Sequence, residues 1–224
     1  MIIVVEGPSA VGKTTLLRHL PTSHVVSEDW SALGFPPEQW PDLDTPAGQA
    51  FGVGASSHRW KLLCDVEHHF GSAYADTDPL KLYYNFALAL HGTRSRALLE
   101  MTFEGCRHAM QTEQLGFADR VMFLQATAAT LRSRKQQDAS RQRRRFDLHV
   151  ELIDAFAHYY MLLEQVRPGT VRFYDTDQGD STPSILSHPL PPRPPYARYD
   201  LHTFDALREA VLHYLDTTKP RTME

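Results

Sequence analysis

Lys13 and Thr14 are the residues whose setting points most directly to chemistry. They close the run G-P-S-A-V-G-K-T from Gly7 to Thr14, which fits G-x-x-x-x-G-K-[ST] in full. A lysine and a hydroxyl at that spacing suit a polyphosphate and the metal that travels with it. Lys13 would reach the β- and γ-phosphates, and the Thr14 hydroxyl would hold Mg²⁺. Gly7 and Gly12 allow a backbone that side chains would block. The N–H groups from Ser9, Ala10 and Val11 through Gly12, Lys13, Thr14 and Thr15 can then turn inward around a phosphate.

Such a loop works only between a strand and a helix. Met1 to Val5 is a short apolar strand, and good helix formers run on to Leu20. A chance glycine turn before an ordinary helix explains the pattern less well, because Lys13 would then sit at the wrong end of the helix dipole. The other chemical candidates are carboxylates at strand ends, where open α/β sheets bind ligands. A second strand at 24–27 ends in Glu28-Asp29-Trp30, a third at 72–75 ends in Asp76-Thr77-Asp78-Pro79, and a fifth at 170–174 ends in Asp175-Thr176-Asp177.

The elements between them follow from periodicity. Helices are expected at about 56–70, from Pro79 to about Leu90 with Asp78 as N-cap, and at 95–114. A fourth strand spans 119–125, and a helix from Thr127 or Thr130 runs into a basic segment. One long amphipathic helix covers 146–164, and a terminal one covers about 201–215. Residues 31–45 read as an irregular loop, and the proline-rich stretch 181–196 as a draped loop or linker. Strands alternating with helices predict an α/β fold with a mainly parallel sheet, in a single domain over 1–224.

Composition narrows the function classes. Apolar residues make up 42% of the 224, which suits a globular chain, and no run is long enough to span a membrane. The first apolar run ends at Glu6, so a signal peptide is not expected. Two separated cysteines, Cys64 and Cys106, suggest a reducing, cytoplasmic setting without structural zinc. Between Arg132 and Arg145 stand seven basic residues and one acid, on a chain of net charge −4. One basic segment on an acidic body suits a small polyanion such as ATP better than a nucleic acid.

Together the phosphate loop, the acidic turn after strand two, D-T-D-P after strand three and the arginine-rich segment after strand four resemble the P-loop nucleoside and nucleotide kinases. The deoxynucleoside kinases and thymidylate-kinase-like proteins are the nearest groups, over about residues 1–177. The resemblance implies a three-layer fold with a five-stranded sheet in order 2-3-1-4-5, an ATP donor and a mobile arginine lid at about 132–146. Of the lid residues, Arg134, Arg141 and Arg143 are the candidates to stabilise the transferred group. Glu28 or Asp29 holds the place of the catalytic base, and Asp76 that of a second Mg²⁺ or acceptor contact. The family often carries an arginine straight after that acid. Here Thr77 follows instead, which sets a standard deoxynucleoside acceptor in question. The family's hydrophobic helices often pair, so a homodimer is a further expectation.

Trp30, Phe35, Trp40, Phe51 and Trp60 would either stack on a flat acceptor or pack as core. Tyr83, Tyr84, His91, Glu104 and Arg107 could line the same pocket, with Glu104 and Arg107 alternatively paired at i, i+3. The expected function is an ATP- and Mg²⁺-dependent kinase acting on a hydroxyl of a small molecule, with nucleoside-like acceptors among the candidates. No nucleic-acid or membrane partner is expected. The alternatives are a nucleoside-monophosphate kinase, a natural-product phosphotransferase and a non-catalytic ATP-binding regulator.

Overall fold

Ile2–Glu6 forms β1, the central strand, and all five of its residues are buried. Strand geometry sends alternate side chains to opposite faces. Ile2 and Val4 join one apolar cluster, and Ile3 and Val5 join another. The sheet is therefore covered on both sides, as a parallel sheet requires. This computed structural model describes residues 1–28, 40–137, 146–177, 185, 192 and 195–218.

Five parallel strands make the sheet: β1, β2 (Val25–Val26), β3 (Ala73–Asp76), β4 (Arg120–Gln125) and β5 (Val171–Asp175). Their order is β2-β3-β1-β4-β5, as expected. The Ile2/Val4 face packs on α2 (Pro46–Phe70), α3 (Leu82–Leu90), α4 (Arg96–Gln111), α7 (Ile153–Val166) and α8 (Leu201–Thr217). Trp60, Phe86, Phe103, Tyr159 and Phe204 fill that layer. The Ile3/Val5 face packs on α1 (Lys13–Leu17), α5 (Ala128–Gln137) and α6 (Phe146–Glu151) through Leu16, Leu131 and Phe146. Among the described residues, no helix is long and apolar enough to cross a membrane.

Several element boundaries correct the sequence reading. The first helix ends at Leu17 rather than Leu20. The helix expected at 56–70 begins at Pro46 and runs for 25 residues. Thr45 caps it by accepting from the Gly48 N–H at 3.1 Å, and Pro46 occupies its first turn. Gly48 is needed there, since a Cβ would lie 2.0 Å from the Asp42 carbonyl oxygen. The helix expected at 146–164 is two helices, because Leu152 (φ −91°, ψ 2°) puts a one-residue kink between α6 and α7.

Candidate active site

The phosphate loop joins β1 to α1 with the backbone its glycines permit. Gly7 has φ +143°, and a Cβ on it would lie 2.4 Å from the Leu124 carbonyl oxygen of β4. Gly12, at φ +114°, begins α1, and no side chain caps that helix. Lys13 folds back over the loop. Its Nζ donates to the Gly7 carbonyl at 2.5 Å and the Pro8 carbonyl at 3.3 Å, and stands 4.0 Å from Glu6 Oε1.

Glu6 is a site residue that sequence reasoning missed. Its carboxylate is buried and accepts from the Gly7 N–H at 2.8 Å and the Asp78 N–H at 3.0 Å. It thus ties the phosphate loop to the turn after β3. Burial raises its pKa to about 7, against the pull of Lys13 and the two N–H donors. The signal was an acid closing an otherwise apolar strand.

The turn after β3 lies beside the loop because Val5 pairs with Asp76 in the sheet and the Thr77 N–H donates to the Val5 carbonyl at 3.1 Å. Asp76 is half-buried there. Asp78 does not cap α3, which starts at Leu82 behind Lys81. Its Oδ1 instead accepts from the Leu80 N–H at 3.0 Å, closing a tight turn, and Oδ2 accepts from the Tyr160 hydroxyl at 3.3 Å. Burial raises the Asp78 pKa to about 6.

Glu28, at the end of β2, reaches the same turn. Oε2 accepts from the Thr77 hydroxyl at 3.0 Å, and Oε1 pairs with Lys81. Crowding by protein pushes its pKa up, but Lys81, Arg59 and Lys13 together outweigh this and bring it down to about 2. Since 46% of the side chain remains exposed, water screens part of that pairing. Lys81 and Arg59 were both missed in the sequence. Arg59 comes from α2 and is fully buried, with Nη2 donating to the carbonyls of Asp76 (2.5 Å) and Thr77 (2.8 Å). A guanidinium therefore does reach the turn where Thr77 stands in place of arginine, but from another element.

Arg134 of α5 reaches the other side of the loop. Nη1 donates to the Val11 carbonyl at 3.1 Å and the Thr176 hydroxyl at 2.9 Å, and Nη2 donates to the Thr176 carbonyl at 2.9 Å. Asp29, Trp30, Phe35, Arg141 and Arg143, with most of 181–196, lie outside the described residues.

Next to Lys81 opens a cavity of about 330 Å³ between α2 and α3. Gly48, Gln49 and Gly52 are part of its lining, and so are Lys81, Tyr84, Asn85 and Arg94, with Asp42 and Asp44. Arg94 pairs with Asp44 and donates to Asn85. Tyr84 is where expected. Trp60 is core, 1% exposed, with its indole N–H donating to the Tyr199 hydroxyl at 3.3 Å. Glu104 and Arg107 neither pair with each other nor line the cavity. Arg107 holds Asp205 at 2.8 Å and Glu104 holds Arg208 at 3.0 Å, docking α8 on α4. His91 pairs with Glu151 at 3.2 Å.

The Thr14 hydroxyl and the Asp76 carboxylate are the two expected donors that could hold Mg²⁺, one at the start of α1 and one at the end of β3. No group of three or more metal-binding side chains stands among the described residues. Two hard oxygen donors fit an ion that shares phosphate and water rather than one caged by protein.

No protein-family model matches the chain, and no curated protein does either. Solved structures do. Deoxyadenosine kinase from M. mycoides with bound dATP matches with a TM-score of 0.58 at 16% identity, over 83% of this chain and 96% of that one. The same kinase with bound dCTP gives 0.55 at 16% identity, with the same coverage. The fold is that of the P-loop nucleoside kinases. Thymidylate kinase from Candida albicans matches at 0.48 and 18% identity, over 82% of this chain and 86% of that one. The kinase fold sets the strand ends described above along one edge, with the phosphate loop at the centre.

Proposed function

We propose that the protein transfers the γ-phosphoryl group of ATP, with Mg²⁺, to a hydroxyl of a small molecule seated between α2 and α3. One observation carries this reading. Glu28 stands between the phosphate loop and the cavity, linked to the loop's neighbour strand through Thr77 and to the cavity wall through Lys81. A hydroxyl acceptor must lose its proton as it attacks, and a carboxylate at that junction can take it.

The roles follow from position. Loop N–H groups and Lys13 bind and orient the phosphates, once Lys13 leaves the Gly7 carbonyl. Glu28 receives the acceptor proton; its low pKa keeps it ionised at neutral pH. Arg134, already at the loop, adds a fixed positive charge beside the transferred group. Thr14 and Asp76 would hold Mg²⁺, which neutralises charge on the phosphate oxygens. The cavity also bears on the acceptor. Its two cations are both matched to carboxylates, Lys81 to Glu28 and Arg94 to Asp44. That balance favours an uncharged hydroxyl acceptor over a monophosphate, which brings extra negative charge.

The test is ATP consumption with Mg²⁺ against nucleosides, nucleoside monophosphates and hydroxylated natural products, with Lys13→Ala as control. The expected result is acceptor-dependent turnover, higher for uncharged acceptors than for monophosphates, and lost in the variant. Failure of the wild type to bind ATP would overturn the reading.

A further inference from the structure

Arg59 brings a guanidinium into the interior of the site. It is fully buried, and burial lowers its pKa while Glu28, Asp76 and Asp78 act to keep it charged. Only Nη2 is satisfied; Nε and Nη1 have no hydrogen-bond partner among the described residues. A buried charge with open donors is destabilising unless it does something else. What its one satisfied nitrogen grips is unusual too. Thr77 has φ +79°, a left-handed conformation that a β-branched residue rarely adopts. The two carbonyls that Nη2 bridges flank that strained peptide, and the Thr77 side chain is the one whose hydroxyl binds Glu28.

We propose that Arg59 is a positioning residue, which holds the Asp76–Thr77 turn in its strained form so that the Thr77 hydroxyl aims the Glu28 carboxylate. The inference rests on the phosphotransfer reading for its catalytic consequence, but not for the relay itself. Arg59 is enclosed by protein and does not line the cavity, so it acts through Thr77 and touches no acceptor. The relay crosses three elements: α2 supplies the guanidinium, the end of β3 the hydroxyl and the end of β2 the carboxylate. Lys81 grips the other carboxylate oxygen, so with the relay intact Glu28 has both oxygens fixed. Without the relay, Lys81 alone among the described residues holds it by a hydrogen bond.

Two readouts test this. The first needs no turnover: the Thr77 γ-methyl resonance in protein with labelled threonine methyls. Glu28→Gln should shift it in the wild-type and Arg59→Lys backgrounds, and leave it unmoved in Arg59→Met. The second is steady-state kinetics with the best acceptor from the panel. Arg59→Met should lower kcat roughly 100-fold, the scale of a small misplacement of a reacting group, with acceptor KM nearly unchanged. Arg59→Lys should recover part of that loss. Thr77→Val should lower kcat in the wild-type background and add little to Arg59→Met, because both break one relay.

If Arg59→Met does not fold, Arg59→Lys and Thr77→Val still decide. An unaltered kcat in Thr77→Val overturns the relay, as does a Thr77 methyl that responds to Glu28→Gln equally with and without the guanidinium. A wild type that binds no ATP defeats the phosphotransfer reading alone, and the methyl readout then decides the relay.

Discussion

The two halves of the proposed phosphotransfer site, one for the donor and one for the acceptor, are built in different ways. The donor half is nearly continuous in sequence: Glu6, the loop from Gly7 to Gly12, Lys13 and Thr14 follow one another, with Arg134 and Thr176 closing the side. Backbone geometry shapes it, through Gly7 and Gly12 at positive φ and a Lys13 held by main-chain carbonyls. The acceptor half is gathered from distant segments: Glu28, Arg59, Thr77, Lys81 and Arg94. Charge and hydrogen bonding hold it, including a buried guanidinium and a carboxylate shifted down to about 2. A site made by backbone shape tolerates few substitutions at its glycines but needs little support. A site made by paired charges depends on every partner.

The largest effects should separate the halves. Lys13→Ala should remove the proposed phosphate contact and cut kcat/KM for ATP by roughly 10²- to 10³-fold. Glu28→Gln should cut kcat by roughly 10²-fold and leave ATP affinity in place, measured by calorimetry beside turnover. Equal loss of ATP affinity in both variants would erase the division.

Next in size is a contrast with a network that holds the fold rather than the site. Arg198 binds both oxygens of Glu67 at 2.6 Å and pairs with Asp119, whose Oδ2 accepts from the Ile2 N–H at 2.7 Å. Arg198→Met should destabilise by about 3 kcal/mol, because it takes the guanidinium from two carboxylates and leaves Glu67 with the terminal amine and Asp119 with main-chain donation from Ile2. That corresponds to a Tm roughly 6–12 °C lower by calorimetry, with kcat unchanged at low temperature. A fall in kcat per folded molecule would place the network in the site.

The carboxylates should also differ in pH dependence. Glu6 titrates at about 7 when folded, against an ordinary 4.5. A raised carboxyl pKa means that the folded state binds the proton more tightly. Its stabilisation is therefore complete below about 4.5 and is lost as pH rises through about 7. Glu28 has the opposite sign: its contribution is present above about 4.5 and is lost as pH falls toward 2. Glu6→Gln should flatten Tm between pH 4.5 and 7 in thermal melts, while Glu28→Gln should act only on the acid side. The smallest expected effect is at the cavity wall. A Cβ on Gly52 would meet nothing within 4 Å, so Gly52→Ala should stabilise α2 by about 0.5–1 kcal/mol. It should also raise acceptor KM a few-fold by narrowing the cavity, whose wall includes Gly52.

The same division explains what the sequence made legible. The phosphate loop was readable as a local pattern and Glu28 and Asp76 as carboxylates at strand ends, while the sheet order and the place of Arg134 came from the resemblance to the P-loop kinases. The first turns of α2 were not, because Gly48, Gly52 and Gly54 lower the helix propensity of that segment. Tertiary contact at Gly48 and the Thr45 cap override that propensity. Arg59 carried a faint signal, since it shares helical spacing with Ser56 and Leu63, all buried. An arginine on an inward stripe is a marker of buried charge. Lys81 carried no signal, since its pairing with Glu28 depends on how β2 and β3 lie side by side.

One consequence of α2 concerns how such a protein can vary. The helix works as a ruler with three marks in fixed rotational phase: Gly48, Gln49 and Gly52 at the cavity, Arg59 at the strained turn and Glu67 in the Arg198 network. Each inserted or deleted residue turns everything beyond it by about 100°. A single insertion between Gly52 and Arg59 would keep the cavity wall but swing Arg59 out from under Thr77 and Glu67 away from Arg198. Relatives with new acceptors should therefore differ by exchanges within α2, while its length between these marks stays constant.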